Sequence, residues 1–439
     1  MKPLLVIIFS IVIYNISAQP LAPSNLSAST TQVGLINLTW TDNSNNENGF
    51  LIEREFMGGG QRWLAFTVAN TTNYQDYDIL PNVIYTYMIR SYNVNGYSDY
   101  SNTISITSLA NNPSNIVIWN QLNSGINDNI NSIQFVNTLI GYAATDNSKI
   151  LKTIDGGANW TVNQLLIDNK QYNFYNCFFL ESNTGWLAGY RLGDPSSVLI
   201  KTTDGGNTWE KQVGPFQIGG IRPKDLKFLN YNTGWYLENY GGIYKTTNGG
   251  NSWTRFVIGD NSTNFWPEAI YFINEMTGWT VGNNGIIMFT SDGCKTWKFQ
   301  HVDVGLTLRD VAFINNVTGF AVGDFGKLFK TTNGGDTWIQ QPINALNDLL
   351  KIEFSDASNG YILAKDGRIF KTVDSGITWK PLVRFTQKYL LDIDFINADV
   401  GYVCGVNGLI YKTSIGGTIP LNAPTNLSAV YQNQNSVVL

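Results

Sequence analysis

Three aspartates, Asp225, Asp310 and Asp392, each stand three residues before a phenylalanine (Phe228, Phe313 and Phe395) that ends a short strand-like run. This shared register puts three carboxylates at a similar height in three equivalent elements. Two carboxylates about 5–10 Å apart could act as general acid and base in glycoside hydrolysis. The same residues could instead line a solvated polar channel, and the sequence leaves both readings open. Other chemistries lack their parts. The one histidine, His301, reads as a loop residue after a strand, with no nucleophile or carboxylate patterned around it. The three cysteines, Cys177, Cys294 and Cys404, are far apart and odd in number, which gives neither a disulfide framework nor a zinc spacing. Cys177 and Cys404 fall in strand positions and read as buried thiols. No glycine-rich phosphate loop is present, so neither a cofactor nor a metal is expected.

The elements that must position those aspartates are repeats. Thr331-Thr332-Asn333-Gly334-Gly335-Asp336-Thr337-Trp338 recurs, lightly edited, at 153–160, 202–209, 246–253, 290–297 and 372–379. Each copy follows a short apolar run and precedes a polar, β-prone one, as a tight turn between antiparallel strands does. The Asp or Asn can accept hydrogen bonds from its own turn, the glycines allow positive φ, and the Trp can lock the loop onto the strands. Cys294 replaces one of these glycines and reads as a tolerated substitution. A second marker, Gly followed by an aromatic residue, opens a strand at Gly141, Gly185, Gly234, Gly278, Gly319, Gly360 and Gly401. A period just over forty with about four strands per unit is that of a propeller blade. The turn resembles the Asp-box, or BNR repeat, of sialidases and other β-propellers.

The seventh unit breaks down after Thr413, with Ile415 where the Asp should be and Pro420 where the Trp should be. Ile118-Trp119-Asn120-Gln121, one repeat length before Trp160, is an orphan fourth strand that fits this unit. The expected fold is therefore all-β: a fibronectin type III β-sandwich followed by a seven-bladed β-propeller closed by strand exchange. Residues 1–19 read as a signal peptide, with Lys2, an apolar core from Leu4 to Ile13, and a small-residue cleavage site before Gln19. The apolar run is too short for a membrane span. Residues 20–109 resemble a fibronectin type III domain, with Trp40 in a core strand and the Leu80-Pro81 turn placing Tyr85 at a tyrosine corner. The propeller is expected over 116–419. Residues 421–439 repeat the opening of the first module and read as a truncated second one, poorly ordered after about Pro424.

The Gly-Trp-x-x-Gly, apolar-strand, Thr-x-Asp-Gly-Gly-x-Thr-Trp order over 116–419 is similar to that of photosystem II stability and assembly factor propellers. That resemblance implies non-catalytic binding of other proteins. The leading module and export signal depart from that pattern and are more like a secreted or surface bacterial protein. A sialidase-like site would need an arginine triad at the ring mouth, and a xyloglucanase-like one a cleft between two propellers. The ring arginines are few, and only one propeller is present. A net charge of −5 argues against a nucleic-acid surface. The chain is thus expected to be a monomeric, exported, non-enzymatic protein binding a surface protein or glycan. Its contact residues are expected at one face of the ring: Tyr190, Arg191, Arg222, Tyr240, Trp266 and Arg309, with Phe265 and Phe325 nearby. Tyr190 to Ser197 forms an expanded loop there. Phe265 and Trp266 could instead plug the gap between blades.

Overall fold

The computed structural model describes residues 18–56, 59–110, 119–191, 197–214, 222–239, 241–258, 265–302, 305–343, 345, 347–417, 430–433 and 436–438. The chain divides into two compact units, Met1–Ser114 and Asn115–Leu439.

In the first unit, strands Ser24–Gln32, Leu35–Thr41 and Asn73–Asp76 form one antiparallel sheet. Gly59–Phe66, Gly49–Phe56, Ile84–Asn93 and Gly96–Tyr97 form another, with Ile104–Thr107 paired to Ile84–Asn93. Alternate residues of both sheets (Leu38 and Trp40 from one, Phe50, Ile52, Tyr87 and Ile89 from the other) share a single apolar core. The Tyr85 hydroxyl accepts the Leu80 N–H at 2.7 Å, the corner expected from the Leu80-Pro81 turn. Arg54 is buried, and its guanidinium reaches Asp76 at 2.7 Å and Asp78 at 2.9 Å, while Tyr87 donates to Asp76 at 2.7 Å. Each charge in this cluster has its partner, as a buried ion needs.

The second unit contains, among the described residues, seven four-stranded antiparallel sheets. Their first strands are Ile130–Phe135, Asn173–Phe179, Pro223–Phe228, Pro267–Phe272, Leu308–Phe313, Leu349–Phe354 and Leu390–Phe395. Six sheets take four consecutive strands; the seventh takes its fourth, Asn120–Asn123, from the start of the unit, with Tyr411 opposite Gln121. The orphan strand thus pairs where the sequence requires, two residues later than its sequence limits suggest, with Trp119 immediately before it.

One repeated contact explains both sequence markers. The aromatic after each marker glycine lies flat on the phenylalanine that ends the first strand of the next sheet: Tyr142 on Phe179 at 3.6 Å, Trp186 on Phe228 at 3.6 Å, Trp235 on Phe272 at 3.8 Å. The series continues through Trp279 on Phe313 and Tyr361 on Phe395, with Phe320 the exception that tilts against Phe354 at 5.1 Å, and Tyr402 of the seventh sheet returns to Phe135 of the first at 3.5 Å. Each phenylalanine lies across the marker glycine of its own sheet, where a Cβ would come within 2.3–2.6 Å of the ring. Trp160, Trp209, Trp253, Trp338 and Trp379 of the turns meet these rings edge-on, as Trp160 does Phe135 at 5.9 Å. In the seventh sheet Trp119 does the same to Phe395 at 6.0 Å. Aromatic pairs of this kind contribute about 0.5–1.5 kcal/mol each beyond their burial.

The turns themselves follow local chemistry. In the first, Thr153 Oγ1 accepts the Gly157 N–H at 2.9 Å, and Asp155 Oδ1 accepts the Asn159 N–H at 2.9 Å. Hydrogen bonds from the turn hold Asp155, Asp204 and Asp292 down at about 2. Asn248 and Asn333 make the same backbone contact without a charge. The seventh turn persists although Ile415 replaces the acid: Thr413 Oγ1 still accepts the Gly417 N–H at 2.9 Å, and Gly416 and Gly417 keep positive φ. The threonine hydroxyl and the left-handed pair therefore suffice for this turn. Cys294 takes such a left-handed position at φ 82.

All three cysteines are buried and none is bridged to another. His301 ends the strand Lys298–His301 rather than lying in a loop, because its partner Ile286 extends the ladder to it. Residues 1–17 of the expected signal segment and most of the C-terminal repeat lie outside the described residues; Val430–Asn433 and Ser436–Val438 form an antiparallel pair. No helix among the described residues is long and apolar enough to cross a membrane.

Candidate functional site

The first strands of the sheets surround a cavity of about 140 Å³ lined by Asp225, Lys227, Asp310, Lys351, Glu353, Asp392 and Asp394. The three aspartates do share one register, but their carboxylates act between sheets. Asp225 Oδ2 accepts the Ile270 N–H of the next sheet at 3.0 Å, and Asp310 Oδ2 the Ile352 N–H at 2.9 Å. Asp392 Oδ2 closes the series on the Ile133 N–H at 3.1 Å. Other residue types make such links too, Asn176 from the same register and the rest from the position just before the phenylalanine. Gln134 accepts the Phe179 N–H, Asn176 donates to Lys224 O, Tyr271 donates to Phe313 O, Glu353 accepts the Phe395 N–H, and Asp394 accepts the Phe135 N–H. Every junction between successive sheets carries at least one such side-chain clasp, and the seventh to the first carries two, from Asp392 and Asp394. Hydrogen bonds to a charged partner contribute about 1.5–3 kcal/mol each.

Burial, with Asp394 and Asp392 alongside, raises Glu353 well above the usual carboxylate range, and burial pushes Asp394 up to about 7. Lys351 and Lys227 stand in the same ring, and Asp225 raises Lys227. A carboxyl whose folded value is raised contributes stability that is fully present below its unfolded value and is lost as pH climbs through the folded one. Glu353→Gln keeps an acceptor for Phe395 N–H and removes the charge. It is therefore expected to raise the urea unfolding midpoint at pH 8, with the gap to wild type closing towards pH 5. Burial also pushes the Cys177 thiol up to about 12, so this cavity thiol is a poor nucleophile.

The second candidate lies at one end of the sheets. The residue just before the first strand accepts, through its carbonyl, the N–H that follows the second strand of the same sheet. Arg222, Trp266, Thr307, Asp348 and Tyr389 share this position with Asn129. Arg222 and Trp266 are therefore register equivalents in adjacent sheets. Arg222 is exposed and its guanidinium covers the buried Tyr190 ring at 4.9 Å. Trp266 is 52 % exposed while Phe265 packs into the core, so only the phenylalanine fills the gap between sheets. Arg309 is held by Asp324 at 2.6 Å and reaches Asp348 at 3.5 Å. Arg191 is half-buried; Tyr240 and residues 192–196 of the expanded loop lie outside the described residues. Tyr389, equally exposed at 58 %, escaped the sequence reading, although its place before Leu390 was the signal that could have found it.

A sequence profile described as "Photosynthesis system II assembly factor YCF48" matches residues 111–264, 261–344 and 297–383. The chain belongs to this family. The photosystem II assembly lipoprotein Ycf48 of Synechococcus sp. is 26 % identical over 127 residues, 29 % of this chain. The match spans only 36 % of that relative's length. Among solved structures, one titled YCF48 bound to D1 peptide superposes with a TM-score of 0.57 at 20 % identity, over 68 % of this chain and 97 % of that one. YCF48 from Cyanidioschyzon merolae gives 0.57 at 19 % identity, over 67 % and 98 %. A GH74 enzyme of Niastella koreensis gives 0.52 at 16 % identity, over 66 % of this chain and 53 % of the enzyme. At these identities the structural likeness to YCF48 and to the enzyme alike is one of fold, a BNR-type propeller.

Proposed function

We propose that this chain is an exported recognition protein, with a fibronectin type III module over 20–109 and a seven-bladed propeller over 116–419 closed by strand exchange. Its rim, built around Arg222 over Tyr190 and Trp266, binds a segment of another protein without catalysis. The observation that carries the non-catalytic half is the use of the cavity acids. Asp225, Asp310 and Asp392 each hold a backbone N–H of the adjoining sheet, and a general acid or base needs its oxygens facing substrate. A cavity of about 140 Å³ also falls well below the roughly 300 Å³ at which ligand pockets begin. The binding half is supported by an arginine and a tryptophan exposed in equivalent positions, residue types that anchor interfaces. A relative of the same fold bound to a peptide favours a polypeptide partner.

The test pans a displayed library of random 12-residue peptides against the full chain. Binders are expected, and the Arg222→Ala/Trp266→Ala double variant should weaken them about 10-fold or more. Polysaccharide and sialoside screens should show no turnover. Binders indifferent to the double variant would remove this rim from consideration.

A further inference from the structure

Three turns between second and third strands, Asn283–Gly285, Asp324–Gly326 and Val406–Gly408, share one backbone. The middle residue of each is left-handed, at φ 55, 58 and 56 in turn. Asn284 and Asn407 fill two of these positions, and asparagine visits that region more readily than other side-chain-bearing residues. The third holds Phe325, for which the region is a genuine outlier. The turn is pinned from both sides. Phe325 N–H donates to Asp348 Oδ1 at 3.2 Å, Lys327 N–H to Asp324 O at 3.2 Å, and Gly326 packs against the Ala345 carbonyl. The fold recovers little from the ring, which is 68 % exposed. A bulky residue kept in a strained backbone region that the surrounding structure over-determines is the kind of outlier that gathers at functional sites and ligand clamps.

We propose that Phe325 is an anchor by which the rim holds an extended polypeptide segment through one of its uncharged apolar side chains. This rests on the rim reading above. The surroundings select the occupant. Arg309 is neutralised between Asp324 and Asp348, and Lys365 reaches Asp348 at 3.4 Å, so a charged segment meets no excess of opposite sign. The carboxylates that would receive sugar hydroxyls are already engaged, Asp324 by Thr307 N–H and Arg309, and Asp348 by Phe325 N–H. An apolar side chain needs only the ring. Trp266, at the same end of the preceding sheet, offers a second platform.

The experiment uses Phe325→Asn in the full chain and the peptides selected on wild type. F325N should bind them about 10-fold or more weakly and unfold about 1–3 °C higher, because asparagine relieves the backbone. A lower unfolding midpoint would overturn the proposal by making the ring a structural residue. Peptides that depend on Arg222 and Trp266 yet bind F325N unchanged would leave the rim reading standing and remove the anchor. Glycan-array binding lost in F325N, with peptide binding untouched, would assign the ring to a sugar instead. No peptide binder at all would sink both readings together.

Discussion

Trp119→Ala is expected to destabilise the propeller unit by about 3–5 kcal/mol, the range for emptying a buried indole site. The ring is buried, stacks on Phe385 at 4.7 Å, and meets Phe395 edge-on at 6.0 Å. It leads directly into Asn120–Asn123, the strand that pairs with Leu409–Thr413 from the far end of the unit. Joining segments so distant in sequence carries a loop-closure cost that the seam contacts must offset. Those contacts include the Tyr402–Phe135 stack, the Asp392 and Asp394 clasps, Ser124 Oγ donating to Gly408 O at 2.7 Å, and an apolar cluster that Ile130, Ile133 and Phe135 share with Cys404 and Ile410. Urea unfolding measures the loss, and amide exchange locates it. Exchange should accelerate at Leu409–Lys412 in W119A, whereas Trp338→Ala, which empties the equivalent site against Phe313 in a sheet of consecutive strands away from the seam, should leave those amides protected. Unchanged protection in W119A would mean that the ring is not latched here.

Gly278→Ala carries the second large effect, about 2–3 kcal/mol, from a single added methyl group. The glycine is extended, so its backbone would accept any residue; the obstacle is space. A Cβ would lie 2.4 Å from the Phe272 ring. That ring cannot retreat, since Trp235 of the preceding sheet covers its other face at 3.8 Å. If this squeeze is the cause, the two sites are coupled and their effects do not add. Phe272→Leu alone should be costly, yet G278A should cost under about 1 kcal/mol when introduced into it. A full penalty for G278A in the F272L background would refute the account.

The sequence stated the glycine–aromatic marker without its reason, and the reason lies in two sheets at once. The glycine makes room for a phenylalanine of its own sheet, and the next residue covers the phenylalanine of the following one. The clasps show the same limit more strongly. Asp225, Asp310 and Asp392 could be singled out by register, but Glu353 and Asp394 make such links from another register and Gln134, Asn176 and Tyr271 with other chemistry. Their partners lie roughly forty residues away, or at the other end of the unit. No local pattern records such a pairing. The carboxylates that suggested hydrolysis are thereby accounted for as fasteners.

What the chain determined by itself were the threonine–glycine turns, the strand period and the identity of the orphan strand. Each depends on groups within a few residues of one another or on a repeat that counts itself. What only the tertiary structure decided is where the side chains finish: Phe265 inward and Trp266 outward, Arg309 neutralised, Phe325 held out on a left-handed turn. Exposure and charge compensation are properties of neighbours brought together by packing, and adjacent letters such as Phe265 and Trp266 carry no trace of them.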